Sequence, residues 1–331
     1  MISSKLTLTV CAIVSCTFLL TSQGAPTESK QEGFNTPQQA AEALIQVAAN
    51  FDLAAAKEIL GPDSADIVSS EDPVADKNEA HAFAAKAKQK LSIDVDKKDP
   101  NRAIIAVGND GLPLPIPLLK QNGKWVFDTK LGRQEIINRR IGANELNAIA
   151  ICRGFVEAQL EYAAEKHDHS KVNQYAQNII STPGKHDGLA WQNADGTWEG
   201  PVGPEVAKAL QEGYSAKPDT AYHGYYFKVL KGQGQAAPMG QMDFVIGGAM
   251  IGGFALAAAP AEYRVTGVKT FIVGPDGKVY EKDLGKDTLK IFQTMDRYNP
   301  DNRWQETQDD LEAHPHAEIN AASATLRKKG S

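Results

Sequence analysis

Cysteine is nearly absent. The 331-residue chain has three, and two of them, Cys11 and Cys16, fall within the first 24 residues. Once those residues are removed, Cys152 stands alone, so no intramolecular disulfide forms and packing has to hold the fold. Cys152 sits in the apolar helical stretch Ile149-Ala150-Ile151-Cys152 and reads as a buried small hydrophobe with no histidine paired to it. Basic excess is also lacking: 35 Lys and Arg face 41 Asp and Glu, for a net charge of −6. With no basic stripe either, nucleic acid is not an expected partner. There is no HExxH, no GxSxG elbow, no P-loop and no GxGxxG; Gly232-Gln233-Gly234 lacks the third glycine and lies between strands. No cofactor is implied. Long apolar runs are short as well. Residues 244–259 are uncharged and glycine-rich, but about 16 residues fall below the ~20 of a membrane helix. They read as two buried strands turning at Gly247-Gly248, so no transmembrane span is expected in the mature chain.

What is present begins with an export layout. Lys5 precedes an apolar run over 6–20, followed by the small-residue site Ser22-Gln23-Gly24. Residues 1–24 therefore read as a signal peptide cut after Gly24, giving a periplasmic or extracellular product. The alternative is a lipobox, Ile13-Val14-Ser15-Cys16, with a lipid anchor on Cys16. Thr17-Phe18-Leu19-Leu20 stays apolar, where a lipoprotein normally turns polar.

Apolar residues make up 42% of the chain and charged residues 23%, enough for a real core in about two domains at ~150 residues each. Residues 25–33 are polar and read as a linker. Asn35 or Thr36 caps a helix with Pro37 in its first turn, and Ala40, Leu44, Val47 and Ala48 follow at helical spacing. A second helix is expected over 51–60 and a third over 76–90. Strands follow at 91–95, 103–107, 114–119 and 125–128. The prolines at 115 and 117 mark an edge strand, and Asn122-Gly123 marks a hairpin. This is an α+β domain over 34–132.

Residues 133–166 read as one long helix, or two coaxial ones, with Gly142 and Gly154 as soft points. Two adjacent apolar stripes, Ala148/Cys152/Phe155/Tyr162 and Ile149/Val156/Leu160/Ala163, predict wide packing on a sheet. Residues 173–213 look mostly irregular apart from a short helix over 205–212. A strand over 224–230 and a closing hairpin follow, 268–273 and 278–282 around Gly274-Pro275-Asp276-Gly277. Its alternation reads as a half-buried sheet. The second unit spans 133–298, and 299–331 is a polar tail, ordered only in part.

Chemistry-bearing residues are sparse. His167 and His169, in Lys166-His167-Asp168-His169, are metal candidates; a solvated helix end is the plainer reading, with no third ligand motif nearby. Gln192-Asn193-Ala194-Asp195-Gly196 fails as a calcium loop, because Trp191 and Val202 stand where carboxylates are needed. His186 with Asp187, and His223 beside Tyr222, are weak catalytic candidates in the loop-rich 181–223 region. A hydrolase there would need a nucleophile that the sequence does not offer.

Several whole segments carry a resemblance: PIPLLKQNGKWVFDTKLGRQEIINRRIGANELNAI, STPGKHDGLAW, YHGYYFKVL, IGGFALAAAPAEY and GVKTFIVGPDGKVYEKDLG. Together they resemble a bacterial family catalogued as domain of unknown function 2950, over about 34–305. That resemblance implies no reaction, cofactor or catalytic residue. The pattern ending in NGKWVFDT resembles the cone-shaped α+β fold of NTF2-like proteins. The long helix, loop-rich middle and closing hairpin are similar to the heads of type IV pilins and pseudopilins, without the membrane-inserted helix start. The expectation is therefore an NTF2-like helix-plus-antiparallel-sheet domain followed by a pilin-like long helix on an antiparallel sheet. The expected role is that of an exported, non-enzymatic binding or envelope-associated protein, its partner an unknown envelope protein or polymer. The alternative is a hydrolase acting on an envelope component.

Overall fold

The computed structural model describes residues 31–217 and 220–308. The expected signal peptide, the cut after Gly24, Cys16 and most of the 299–331 tail lie outside the described residues. The chain folds as mixed α+β, its strands in several sheets with mainly antiparallel pairing.

The described chain opens with helices. The expected linker residue Gln31 is fastened, its side-chain amide donating to the carbonyls of Ile59 and Phe127 at 3.0 and 2.8 Å. Thr36 caps α1 (Pro37–Asn50), accepting from the amide of Gln39. Phe51 ends it in the left-handed region, and Asp52 caps α2 (Leu53–Leu60) through the amides of Ala54 and Ala55. After the one-turn helix α3 (Ala65–Val68) comes α4 (Pro73–Gln89), capped by Asp72. The sequence reading started α4 at Asp76. Asp72 at the cap and Pro73 at the first position are the start signal it missed.

The strands are β1 (Leu91–Val95), β2 (Arg102–Val107), β3 (Leu112–Pro113), β4 (Leu118–Gln121) and β5 (Lys124–Phe127), ordered β1-β2-β4-β5, with β3 pairing beside β4 on β2. Asn122 and Gly123 both adopt positive φ, 50° and 79°, as a two-residue hairpin turn between β4 and β5 requires. The expected edge strand over 114–119 is corrected. Pro115 and Pro117 lie before β4, which is interior, with Leu118 paired to both Ala103 and Phe127. Missing amide donors are tolerable there because the prolines are outside the ladder.

Asp128 caps α5 (Thr129–Tyr162), a single uninterrupted helix of 34 residues. It starts and ends four residues before the expected 133–166. Gly142 and Gly154 do not break it. Its buried face runs Ile137, Arg140, Asn144, Ala148, Cys152, Phe155, Gln159, Tyr162, at helical spacing. The second expected stripe is only partly buried: Val156 is covered, Leu160 is 56% exposed. The amino-terminal part of α5 packs into the first core, with Phe34, Ile105, Leu118 and Phe127. The carboxyl-terminal part packs into a second, with Leu230, Phe254, Phe271 and Tyr298.

The 173–213 region is more regular than expected. It holds β6 (Asn178–Ile180), β7 (Gly188–Gln192) and β8 (Trp198–Glu199) as a three-stranded sheet, then α6 (Gly203–Glu212). Next come β9 (Tyr225–Leu230), β10 (Gly232–Gln233), β11 (Met242–Asp243), β12 (Val245–Ile246), β13 (Ala249–Met250) and β14 (Ala255–Pro260). The turn at Gly247-Gly248 forms, but it joins the short pair β12–β13, where Ile246 is exposed; the buried strand is β14. Among the described residues, no helix is long and apolar enough to cross a membrane.

The closing hairpin is β15 (Lys269–Val273) and β16 (Val279–Asp283). The amide of Gly277, at φ 73°, donates to the carbonyl of Gly274. After α7 (Thr288–Thr294) and β17 (Arg297–Tyr298), β18 (Gln305–Glu306) adds outside β16, so the sheet runs β18-β16-β15-β14-β9. The expected half-burial holds for β16, where only Val279 is fully covered, and is corrected for β15: Thr270, Phe271, Ile272 and Val273 are all buried. β15 lies between β14 and β16, α5 packs along the sheet, and Phe292 and Tyr298 join the same core.

Candidate functional site

The sequence-predicted candidates separate into two places. His167 and His169 do not share a strand face. They follow the end of α5 in a turn where Asp168 and His169 both have left-handed backbone. His167 stacks on Tyr162 with ring centres 3.9 Å apart, and its Nε2 lies 2.9 Å from the Tyr162 carbonyl. His169 is exposed. Among the described residues no three His, Cys, Asp or Glu side chains cluster to hold a metal.

His186 lies against Trp191, ring centres 4.6 Å apart, and its backbone amide donates to Asp168 Oδ2 at 2.8 Å. Asp187, expected to orient it, turns elsewhere. It accepts from the Thr182 amide at 2.7 Å and the Thr182 hydroxyl at 2.9 Å. Burial alone would raise its pKa, but these bonds, another from Asn178 and the charge of Lys185 hold it below the usual range. A carboxylate so engaged is the brace of a turn. Asp168 instead faces His186, 3.9 Å from its Nδ1, with both groups largely in solvent.

His223 belongs to another cluster. It sits in left-handed backbone against Tyr222 and Tyr214, ring centres 4.2 and 5.5 Å away. Burial lowers its pKa despite the opposing pull of Glu212 and Asp72. The centre of this cluster is Asp72, only 2% exposed. Its Oδ1 caps α4 through the Ala75 amide at 2.9 Å. Its Oδ2 accepts from the Tyr214 hydroxyl at 3.1 Å and the Gly224 amide at 2.7 Å. The cap of α4 thus ties down the loop that leads into β9.

The feature that sequence reasoning missed is a cleft of about 160 Å³ among α1, α2, α3, α4 and α5. Leu44, Val47, Ala48 and Phe51 supply one wall, three and four residues apart on α1. Leu53, Ala56 and Leu60 of α2 and Ile67 and Val68 of α3 supply more of the apolar lining, and Asp52 stands beside them at the α2 cap. Asp76, Glu79 and Ala80, one face of α4, meet Arg140 of α5 at the polar end.

The polar groups differ in how far they are committed. Arg140, 8% exposed, donates to the carbonyls of Asp66 and Ile67 at 2.7 and 3.0 Å and lies 3.9 Å from Asp76 Oδ1. Asp76, 7% exposed, accepts from the Ser70 amide and hydroxyl at 2.6 and 3.0 Å. Burial still pushes its pKa up, against those bonds and Arg140. Glu79 reaches solvent at the cleft mouth and has no hydrogen bond or ion pair among the described residues. Surrounding protein raises its pKa, Arg140 lowers it, and Asp76 and Asp72 raise it further. One readable clue existed: Arg140 stands on the buried stripe of α5, between Ile137 and Asn144, where a charge needs partners.

A family model described as "Protein of unknown function (DUF2950)" matches residues 31–307, more than half of the chain. No curated protein and no solved structure matches.

Proposed function

The chain belongs to that family of unknown function, and from this premise we propose that it is an exported binding protein that takes a small apolar group in the α1–α5 cleft. The observation that carries the reading is the cleft itself: a concave, mostly apolar space with a few convergent polar side chains at one end. Its volume is close to the ~150 Å³ of an engineered cavity that holds benzene. The occupant is therefore about the bulk of one aromatic ring or a short branched chain. Export rests on the layout of residues 1–24.

The architecture fits the role. We read the first unit, 34–132, as NTF2-like, helices over an antiparallel sheet, although the cleft lies among the helices and no strand lines it. The second, 133–298, we read as pilin-like, a long helix laid on the β9–β14–β15–β16–β18 sheet. The helix α5 belongs to both cores and contributes Arg140 to the cleft, so occupancy of the cleft bears on the element that joins them.

The test uses the full chain and benzyl alcohol, with saturation-transfer NMR as readout. A ligand of this size in a solvent-open cleft binds at about the millimolar level, roughly −4 kcal/mol. Ala48→Phe adds a ring to a half-buried wall position and should abolish the signal. Equal binding by the wild type and Ala48→Phe refutes the cleft as the site.

A further inference from the structure

The charge at the polar end of the cleft is out of balance. Asp76 and Glu79 line it, and Asp72 lies close enough to raise the pKa of both. Against these three carboxylates stands one guanidinium, Arg140, whose donors already serve two backbone carbonyls. Asp72 is satisfied by three donors and Asp76 by the two of Ser70. Asp52, which also lines the cleft, spends its Oδ1 on the α2 cap; Glu79 is the lining acid with both oxygens free of hydrogen bonds among the described residues. Glu262, whose own pKa is raised by burial and then by Glu71 and Asp66, adds to the same negative field around Arg140.

Such an arrangement selects among ligand charges. An anion would meet the carboxylates first, since Arg140 is buried and engaged. A neutral ligand would offer Glu79 at most an uncharged donor and leave its charge uncompensated. A cation supplies what Glu79 lacks, a charge-assisted donor in a partly desolvated place, where such bonds exceed neutral ones. We propose that the ligand of the cleft is a small apolar primary amine, its hydrocarbon part between Leu44, Val47 and Ile67 and its ammonium on Glu79. This rests on the cleft reading above and adds the chemical class of the ligand.

The experiment titrates the full chain at pH 7 with three matched probes, 2-phenylethylamine, 2-phenylethanol and phenylacetate, followed by NMR. Glu79→Gln and Ala48→Phe are titrated in parallel, each accepted as folded when the buried Cys152 resists alkylation. The amine should bind roughly tenfold more tightly than the alcohol, and the acid weakest. In Glu79→Gln the amine should lose its advantage over the alcohol. If the alcohol or the acid binds as well as the amine in the wild type, or the amine keeps its advantage in Glu79→Gln, the amine assignment is wrong and the cleft reading survives. If no probe binds, or Ala48→Phe binds all of them as the wild type does, the cleft reading fails and this inference falls with it.

Discussion

Asp72→Ala should be among the most damaging single substitutions at a polar residue in the molecule. The carboxylate is 2% exposed and takes three hydrogen bonds, from Ala75, Tyr214 and Gly224. Losing the α4 cap costs about 1 kcal/mol. The Tyr214 hydroxyl and the Gly224 amide are then left buried without an acceptor, at about 1–3 kcal/mol each. The expected total is roughly 3–7 kcal/mol, a large share of the 5–15 kcal/mol typical of a folded protein. Asp52→Ala is the control. Asp52 also caps a helix, α2, through Ala54 and Ala55, but it is exposed and its carboxylate takes no other hydrogen bond among the described residues. Its loss should cost only about 1 kcal/mol. Urea denaturation of both variants measures the difference. A cost for Asp72→Ala within 1 kcal/mol of that for Asp52→Ala would refute the latch between α4 and the 214–224 loop.

Two glycines of α5 should respond oppositely to alanine. At Gly132 an added Cβ would lie 2.7 Å from Ile116 Cα and from the Pro115 carbonyl, so backbone must move, and thermal denaturation should show a loss of about 1–3 kcal/mol. At Gly142 nothing lies within 4 Å, and Gly142→Ala should stabilise by about 0.5–1 kcal/mol through helix propensity alone. His223 sets a pH dependence. Its folded pKa lies below the ordinary value, so the unfolded chain binds more protons, and stability rises with pH through that window. Its contribution is complete above about pH 6.5 and is lost as pH falls, by at most about 1.4 kcal/mol per pH unit. Denaturation at pH 7.5 and 5 should show His223→Asn losing less than the wild type, since asparagine tolerates the left-handed backbone; an equal loss in both rejects burial of the imidazole as the cause.

What could be read in the sequence was local. Thr36-Pro37 gave a helix start, Asn122-Gly123 and Gly274-Pro275-Asp276-Gly277 gave turns, and the Ala148-Cys152-Phe155-Tyr162 stripe gave the buried face of α5. Distant pairing was out of reach. β10 is two residues long and exists because Gly232 and Gln233 pair with Arg297 and Tyr298, far along the chain. β6 and β7 pair in parallel, without a hairpin turn to announce them. Burial of β15 likewise depends on α5 and on residues such as Phe292 and Tyr298, which its own alternation does not report.

The site was less legible than the fold. His186-Asp187 stands out by residue type, yet the two lie in the loop before β7, and Asp187 spends its oxygens on Thr182. The cleft is assembled from five helices between Leu44 and Arg140. Starting α4 at Asp76 hid the cap at Asp72 and placed Asp76 and Glu79 in an undefined first turn. With the start at Pro73, the two acids fall three apart on one helix face, opposite the apolar face of α1.

The central claim is that the α1–α5 cleft binds a small apolar group. Crystals of the full chain soaked in 4-bromobenzyl alcohol test it most directly, because bromine can be located by anomalous scattering. The account predicts a bromine peak between Leu44, Val47 and Ile67, absent in Ala48→Phe. A peak elsewhere, for example beside the exposed Ile246 of the β12–β13 turn, with an empty cleft, would contradict it.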